Sequence, residues 1–94
     1  MSQFLVLSRR RLELFSDNDF ERVLPAETER VRELYAKGVV RQIWLRDDVP
    51  GAAFVIEADS RAAAEACVAE LPMAATQLSK FTIVGLLPYR GFVG

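Results

Sequence analysis

Ninety-four residues, 51% of them hydrophobic and 27% charged, are enough for one compact domain spanning 1–94 and leave no room for a second. Twelve Lys and Arg against thirteen Asp and Glu give a net charge of -1, which argues against nucleic-acid binding, an affinity that normally begins with a basic face. With no histidine and only one cysteine, Cys67, the chain has no histidine triad, His-rich zinc site, thiolate cluster or internal disulfide. No stretch reaches the roughly 18–20 apolar residues of a membrane span. The opening Met1-Ser2-Gln3-Phe4-Leu5-Val6-Leu7 lacks the basic lead and small-residue cleavage site of a signal peptide. A cytoplasmic protein without membrane contact is expected.

The first element is a strand over 3–9, built on the apolar run Phe4 to Leu7. The triple Arg9-Arg10-Arg11 that ends it reads as a solvated strand end, with an anion site as the alternative. Ser16 followed by Asp19 signals a helix start, because a hydroxyl can satisfy orphan backbone N–H groups and an acid suits the first turn. Phe20, Val23, Leu24, Val31, Leu34 and Tyr35 then recur at helical spacing as far as Lys37-Gly38, a helix stop. Pro25 interrupts this pattern and implies a kink or a second segment that begins there. Strands over 39–46 and 52–58 are joined by the turn-rich Asp47-Asp48-Val49-Pro50-Gly51. Ser60 caps a helix over 61–71 that Pro72 ends. A connector over 73–79 has room for one more helical turn, a last strand covers 80–87, and a tail runs over 88–94.

The order β-α-β-β-α-β defines an α+β domain of the ferredoxin-like kind, one four-stranded antiparallel sheet with two helices on one face. A sheet covered on one side only should alternate apolar and polar residues. Here one parity supplies Phe4, Val6, Ile43, Leu45, Phe54, Ile56, Phe81 and Ile83, while the other still supplies Leu5, Leu7, Val40, Trp44, Val55, Val84 and Leu86. Two helices cover one face, and the second face calls for another subunit packed sheet to sheet. A homodimer or higher homo-oligomer is expected.

Glu27 does not fit its surroundings. At about 100° per residue it lies about 20° from Phe20 and Leu34 and about 40° from Val23 and Val31, in the middle of the apolar stripe of helix one. Glu21, Glu29 and Glu33 fall away from that centre. A carboxylate on a core-facing stripe must find partners or lose its proton less readily than in water. The second outcome is what a general base or acid near neutral pH requires; the first would be a salt bridge to an Arg or escape to water past Pro25. Gln42, Trp44 and Arg46 share one parity of the second strand and could form a flat apolar wall with polar anchors, Arg being suited to gripping a carboxylate. The competing readings are packing for Trp44 and pairing with Asp47 or Asp48 for Arg46. Cys67, with Val68 and Leu71 on the inner side of the second helix, reads as a small core residue.

The stretch from Glu27 through Gly38, Trp44, Phe54-Val55-Ile56-Glu57, Ser60, Leu71-Pro72 and Leu87-Pro88 resembles the muconolactone isomerase family. More loosely, it is similar to YCII-related proteins and other dimeric α+β-barrel proteins. The resemblance covers residues 27–88, and its most specific pieces are the Gly38–Trp44 spacing and the Glu70-Leu71-Pro72 that ends the second helix. It implies a dimeric barrel, a C-terminal arm over 88–94 docked on a neighbouring subunit through Tyr89 and Phe92, and a catalytic Glu27 that shifts a proton in a small lactone acid without a cofactor. Where the family carries a His ahead of a Leu-Trp pair, this chain has Gln42 ahead of Ile43-Trp44. Gln can orient a substrate but cannot carry a proton, so the family's own substrate is not implied.

Three readings follow. In the first, a cofactor-free isomerase-like enzyme acts on a small lactone or carbonyl substrate, with Glu27 moving the proton and Gln42, Trp44 and Arg46 holding the molecule. In the second, the same barrel is a cofactor-free monooxygenase or a cyclase-like accessory enzyme, with a deep aromatic pocket short of a buried carboxylate. In the third, a non-catalytic small-molecule-binding oligomer keeps Glu27 salt-bridged.

Overall fold

The computed structural model describes residues Met1–Phe92. The chain runs β1 (Ser2–Arg10), α1 (Asp17–Ala36), β2 (Val40–Leu45), β3 (Ala52–Ala58), α2 (Arg61–Ala69), α3 (Pro72–Ala75) and β4 (Ser79–Leu86), and ends in a short 3₁₀ turn, Arg90–Phe92. The strands form one sheet in the order β2-β3-β1-β4 with every neighbouring pair antiparallel. This is the expected α+β, ferredoxin-like order, with a third helix of a single turn. Among the described residues no helix is long and apolar enough to cross a membrane.

Phe4 and Val6 of β1 pair with Ile56 and Phe54 of β3, and these four side chains are buried under the helices. Leu34, Val40, Ala64, Val68 and Leu71 complete that cluster. A second, smaller cluster of Phe20, Met73 and Leu78 lies at the other end of α1 and draws in Phe15, Val23 and Phe81. Each large apolar side chain withdrawn in this way is worth about 1.5–3 kcal/mol.

Local sequence accounts for the element ends. Asp19 Oδ2 accepts the Ser16 backbone N–H at 2.9 Å at the start of α1, a reciprocal of hydroxyl capping. At its end Gly38 takes a positive φ of 80°. The Gly38 N–H then donates to Tyr35 O and the Val39 N–H to Leu34 O, the paired bonds of a Schellman stop. Pro25 does not open a second segment: α1 is one helix of 20 residues with Pro25 inside it. Pro25 and Glu21 are both exposed, so the carbonyl that loses its donor is on the wet side, where water can serve it.

Two boundaries differ from the sequence pattern for physical reasons. α2 stops at Ala69, and Pro72 begins α3 with Leu71 as its N-cap. A proline whose missing N–H costs nothing in a first turn favours that position. The register of β2 shifts between Val40 and Gln42, so that Val40 opposes Ile56 and Gln42 opposes Val55. This bulge corrects the simple parity. Val40 joins the inner face and is buried, while Gln42 and Trp44 point with Val55 and Ala53 to the outer face. That outer face keeps Leu5, Leu7 and Val55 only partly covered and Val84, Leu86 and Trp44 exposed. Tyr89 and Phe92 of the tail stack edge to face at 4.8 Å and are otherwise exposed; the last two residues of the expected arm, 93–94, lie outside the described residues.

Candidate active site

Glu27 sits seven residues from Phe20 and seven from Leu34, the buried anchors of α1 in the two clusters. Where the clusters meet, a cavity of about 560 Å³ opens between α1 and the inner face of the sheet. Val31, Phe54, Met73 and Phe81 give it apolar walls, and Glu27 lies in its lining. Its mouth is set by the β2–β3 turn. Gly51 borders it, and a β-carbon there would fall 1.9 Å from Ser8 O, so only glycine lets the turn close on β1. Ser8 Oγ, buried on the same inner face, accepts the Ala52 N–H at 2.9 Å and satisfies the strand at that point.

The Glu27 side chain is partly buried, and among the described residues it makes no ion pair. Its one partner is backbone: Oε1 accepts the Met73 N–H at 2.9 Å. Burial raises the Glu27 carboxyl above its ordinary value, and the Met73 N–H, which favours the charged form, offsets only part of that rise. No buried side-chain oxygen or nitrogen among the described residues lacks a partner. Oε2, which has none among the described residues, is therefore accessible to solvent.

The other sequence candidates separate. Trp44 borders the cavity from the free edge of the sheet, on strand β2. Arg46 also lines it but is committed to Asp48, with Nε and Nη2 each on one carboxylate oxygen at 2.9 and 2.7 Å. That fork holds the Asp48 carboxyl down at about 2 and raises the Arg46 guanidinium further. Arg46 Nη1 also reaches Ser8 O at 3.4 Å. Gln42 is not among the lining residues; it opposes Val55 on the outer face. Cys67 packs against the main cluster, and burial pushes its thiol up.

Two cavity residues escaped the sequence reading. Arg10 lines the cavity with its guanidinium 5.3 Å above the Phe20 ring, a cation–π contact that holds a cation at an apolar wall. Its signal was parity: residues 4, 6, 8 and 10 of β1 alternate onto one face. Arg32 lines the same space from α1. Among the described residues neither Arg10 nor Arg32 forms an ion pair, and no cluster of three His, Cys, Asp or Glu could hold a metal ion. A second hollow, about 690 Å³ and more open, lies along β4. Its charged lining is Arg9, Arg11, Lys80, Glu13 and Glu65, and Arg9 is already paired with Glu13 at 3.2 Å.

Fold and cavity together define a small α+β domain of the ferredoxin-like class with one carboxylate drawn into an apolar pocket. No family model and no curated protein sequence matches the chain. Among solved structures it is similar to muconolactone isomerase, at 18% identity and a TM-score of 0.78 over 98% of this chain and 95% of that one. It is also similar to the 5-chloro-2-hydroxyhydroquinone dehydrochlorinase of Burkholderia phenoliruptrix AC1100, solved with 2,5-dihydroxybenzoquinone, at 13% identity and a TM-score of 0.68 over 95% and 97%. At these identities the likeness is one of fold, and in fold the family resemblance read from residues 27–88 holds.

The setting of Glu27 has a consequence for stability. A carboxyl whose folded value is raised binds its proton more tightly folded than unfolded. Its contribution to stability therefore falls as pH rises from the unfolded value of about 4.3 through the raised folded value. Carboxyl-carbon NMR should find Glu27 titrating above about 4.3, and Glu27→Gln should remove that slope from a series of melting curves without lowering stability at neutral pH. A depressed Glu27 value with a lowered melting temperature for Glu27→Gln would mean a stabilising ion pair instead.

Proposed function

We propose that this protein is a cofactor-free enzyme that shifts a proton, and with it a double bond, in a small lactone or carbonyl compound. The observation that carries the reading is a single carboxylate, half-buried in the lining of a mostly apolar cavity, with no cation paired to it among the described residues and one oxygen without a partner. Charge in such a place costs stability, and carboxyls perturbed in this way cluster at functional sites. The names of the two structural neighbours, an isomerase and a dehydrochlorinase of small ring compounds, support the same direction.

The chemistry follows from the groups present. The Glu27 carboxylate takes a proton from a carbon next to the substrate carbonyl, and the C–H electron pair passes into the conjugated system as an enolate. Protonated Glu27 then returns that proton to a carbon further along, so the product is an isomer and the enzyme is restored. A raised carboxyl makes the base stronger and keeps the proton on hand for return. Arg10 and Arg32 offer N–H donors at the wall for the oxygen on which charge develops, Arg46 stays in its fork with Asp48, and Trp44 borders the rim. Gln42 has no part in it within one chain.

One observation favours a non-catalytic reading: the Met73 hydrogen bond gives Glu27 a structural task at the start of α3. Glu27→Gln separates the two, since Gln keeps an Oε1 acceptor for that N–H but cannot take a proton. The variant should fold normally and lose about 10²–10⁴-fold in turnover on a panel of enol-lactones and β,γ-unsaturated ketones. Unchanged turnover would remove Glu27 from the chemistry, and loss of the fold would make it structural.

The half-covered outer face of the sheet (Leu5, Leu7, Val55, Val84, Leu86) supports a second copy of this chain as its cover, because one face meeting itself about a two-fold axis forms a closed dimer. Light scattering at micromolar concentration should report a dimer or a multiple of one, and Val55→Asp on that face should yield monomer or unfolded chain. A stable, folded wild-type monomer would contradict the pairing.

A further inference from the structure

Glu27 is held in a particular way by a piece of chain that no periodic signal announces. Leu71 and Met73 flank Pro72, and both are almost wholly buried, at 1% and 4% exposure, Leu71 in the main cluster and Met73 in the second. Pro72, between them, opens α3. Its ring fixes the backbone in a helical first-turn angle and contributes no N–H. The next backbone donor, Met73 N–H, has no acceptor within so short a helix and is aimed at Glu27 Oε1. Two apolar anchors in different clusters and one rigid ring thus fix the direction of a single N–H.

We propose that the Leu71-Pro72-Met73 turn is a positioning device for the base, the Met73 N–H holding Glu27 Oε1 so that Oε2 alone faces the cavity and exchanges the proton. The inference rests on the reading of Glu27 as a proton-transferring group. Without the turn, a Glu side chain with three free torsions would spread its carboxylate over several rotamers; with it, one oxygen is tethered and the other presented. The charged side chains that line the cavity with Glu27 are Arg10 from β1, Arg32 from α1 and Arg46 beyond the end of β2. None is bonded to it among the described residues. The N–H is therefore the direct contact that favours the ionised form and keeps burial from raising the carboxyl further.

The test removes that one donor. Cys67, the sole cysteine, allows the full chain to be assembled by ligation of residues 1–66 to a synthetic 67–94 in which the Met73 amide is replaced by an ester. The ester chain should show Glu27 titrating higher than in the all-amide chain assembled the same way, and the acid limb of its pH–rate profile should move in the same direction. In parallel, amide NMR of the native protein needs no altered backbone: the Met73 N–H signal should follow pH with the same midpoint as the Glu27 carboxyl carbon, and Glu27→Gln should abolish that movement. A Met73 signal that stays flat while Glu27 titrates, or a Glu27 midpoint unmoved in the ester chain, would overturn the inference. Neither readout depends on turnover. A Glu27→Gln variant that keeps full activity would instead overturn the base itself while leaving the Met73 contact in place.

Discussion

A negative charge on the buried stripe of a helix must be stabilised by something other than bulk water, and in this protein that constraint falls on Glu27. α1 needs Phe20 at one end and Leu34 at the other to anchor two separate apolar clusters. Helical geometry then puts the side chain midway between them over the seam, whatever its chemistry. The seam instead holds a cavity with that carboxylate in its lining, and a carboxylate at such a place is where the chain departs from what stability alone would favour.

The rest of the molecule is arranged around that departure. The sheet presents Phe54 and Phe81 as the cavity floor, and the bulge in β2 keeps Val40 in the core while Ile43 and Leu45 border the mouth. The Arg46–Asp48 fork and the close approach of Gly51 to Ser8 pin the β2–β3 turn at that mouth. α3, a single turn, supplies the only hydrogen bond to the Glu27 side chain among the described residues. On the proposed reading, loops on the sheet and one tethered acid move a proton without help from histidine, which the sequence lacks.

Most of the fold was legible because its signals are periodic. The apolar runs of β1, β3 and β4, the Lys37-Gly38 stop and the Ser60 cap each act over a few residues, and Ser60 Oγ does accept the Ala63 N–H at 3.1 Å. Glu27 was legible for the same reason, as a break in a helical stripe. What escaped depends on contacts or on single-residue slips. Four residues are too few for a helical period, so the pattern leaves only room for one helical turn over 73–79 and makes Pro72 a stop, where the structure opens α3 at Pro72. One bulge residue moved Val40 from the outer set to the inner. Gln42, Trp44 and Arg46 share sequence parity, yet only Trp44 and Arg46, nearer the β2–β3 turn, border the cavity, because parity fixes a face and not a distance along the strand. Arg10 was hidden inside a run of three arginines, where charge masked the alternation that turns it inward.

The central claim is that Glu27 moves a proton to and from carbon inside this cavity. Solvent-exchange NMR tests it directly: a small enol-lactone is incubated with the protein in heavy water and its ring protons are followed with time. The account predicts that wild-type protein washes deuterium into the carbon next to the carbonyl and into the far end of the conjugated system, and that Glu27→Gln, folded and at equal concentration, exchanges at the uncatalysed rate. Equal exchange by wild type and Glu27→Gln would contradict it.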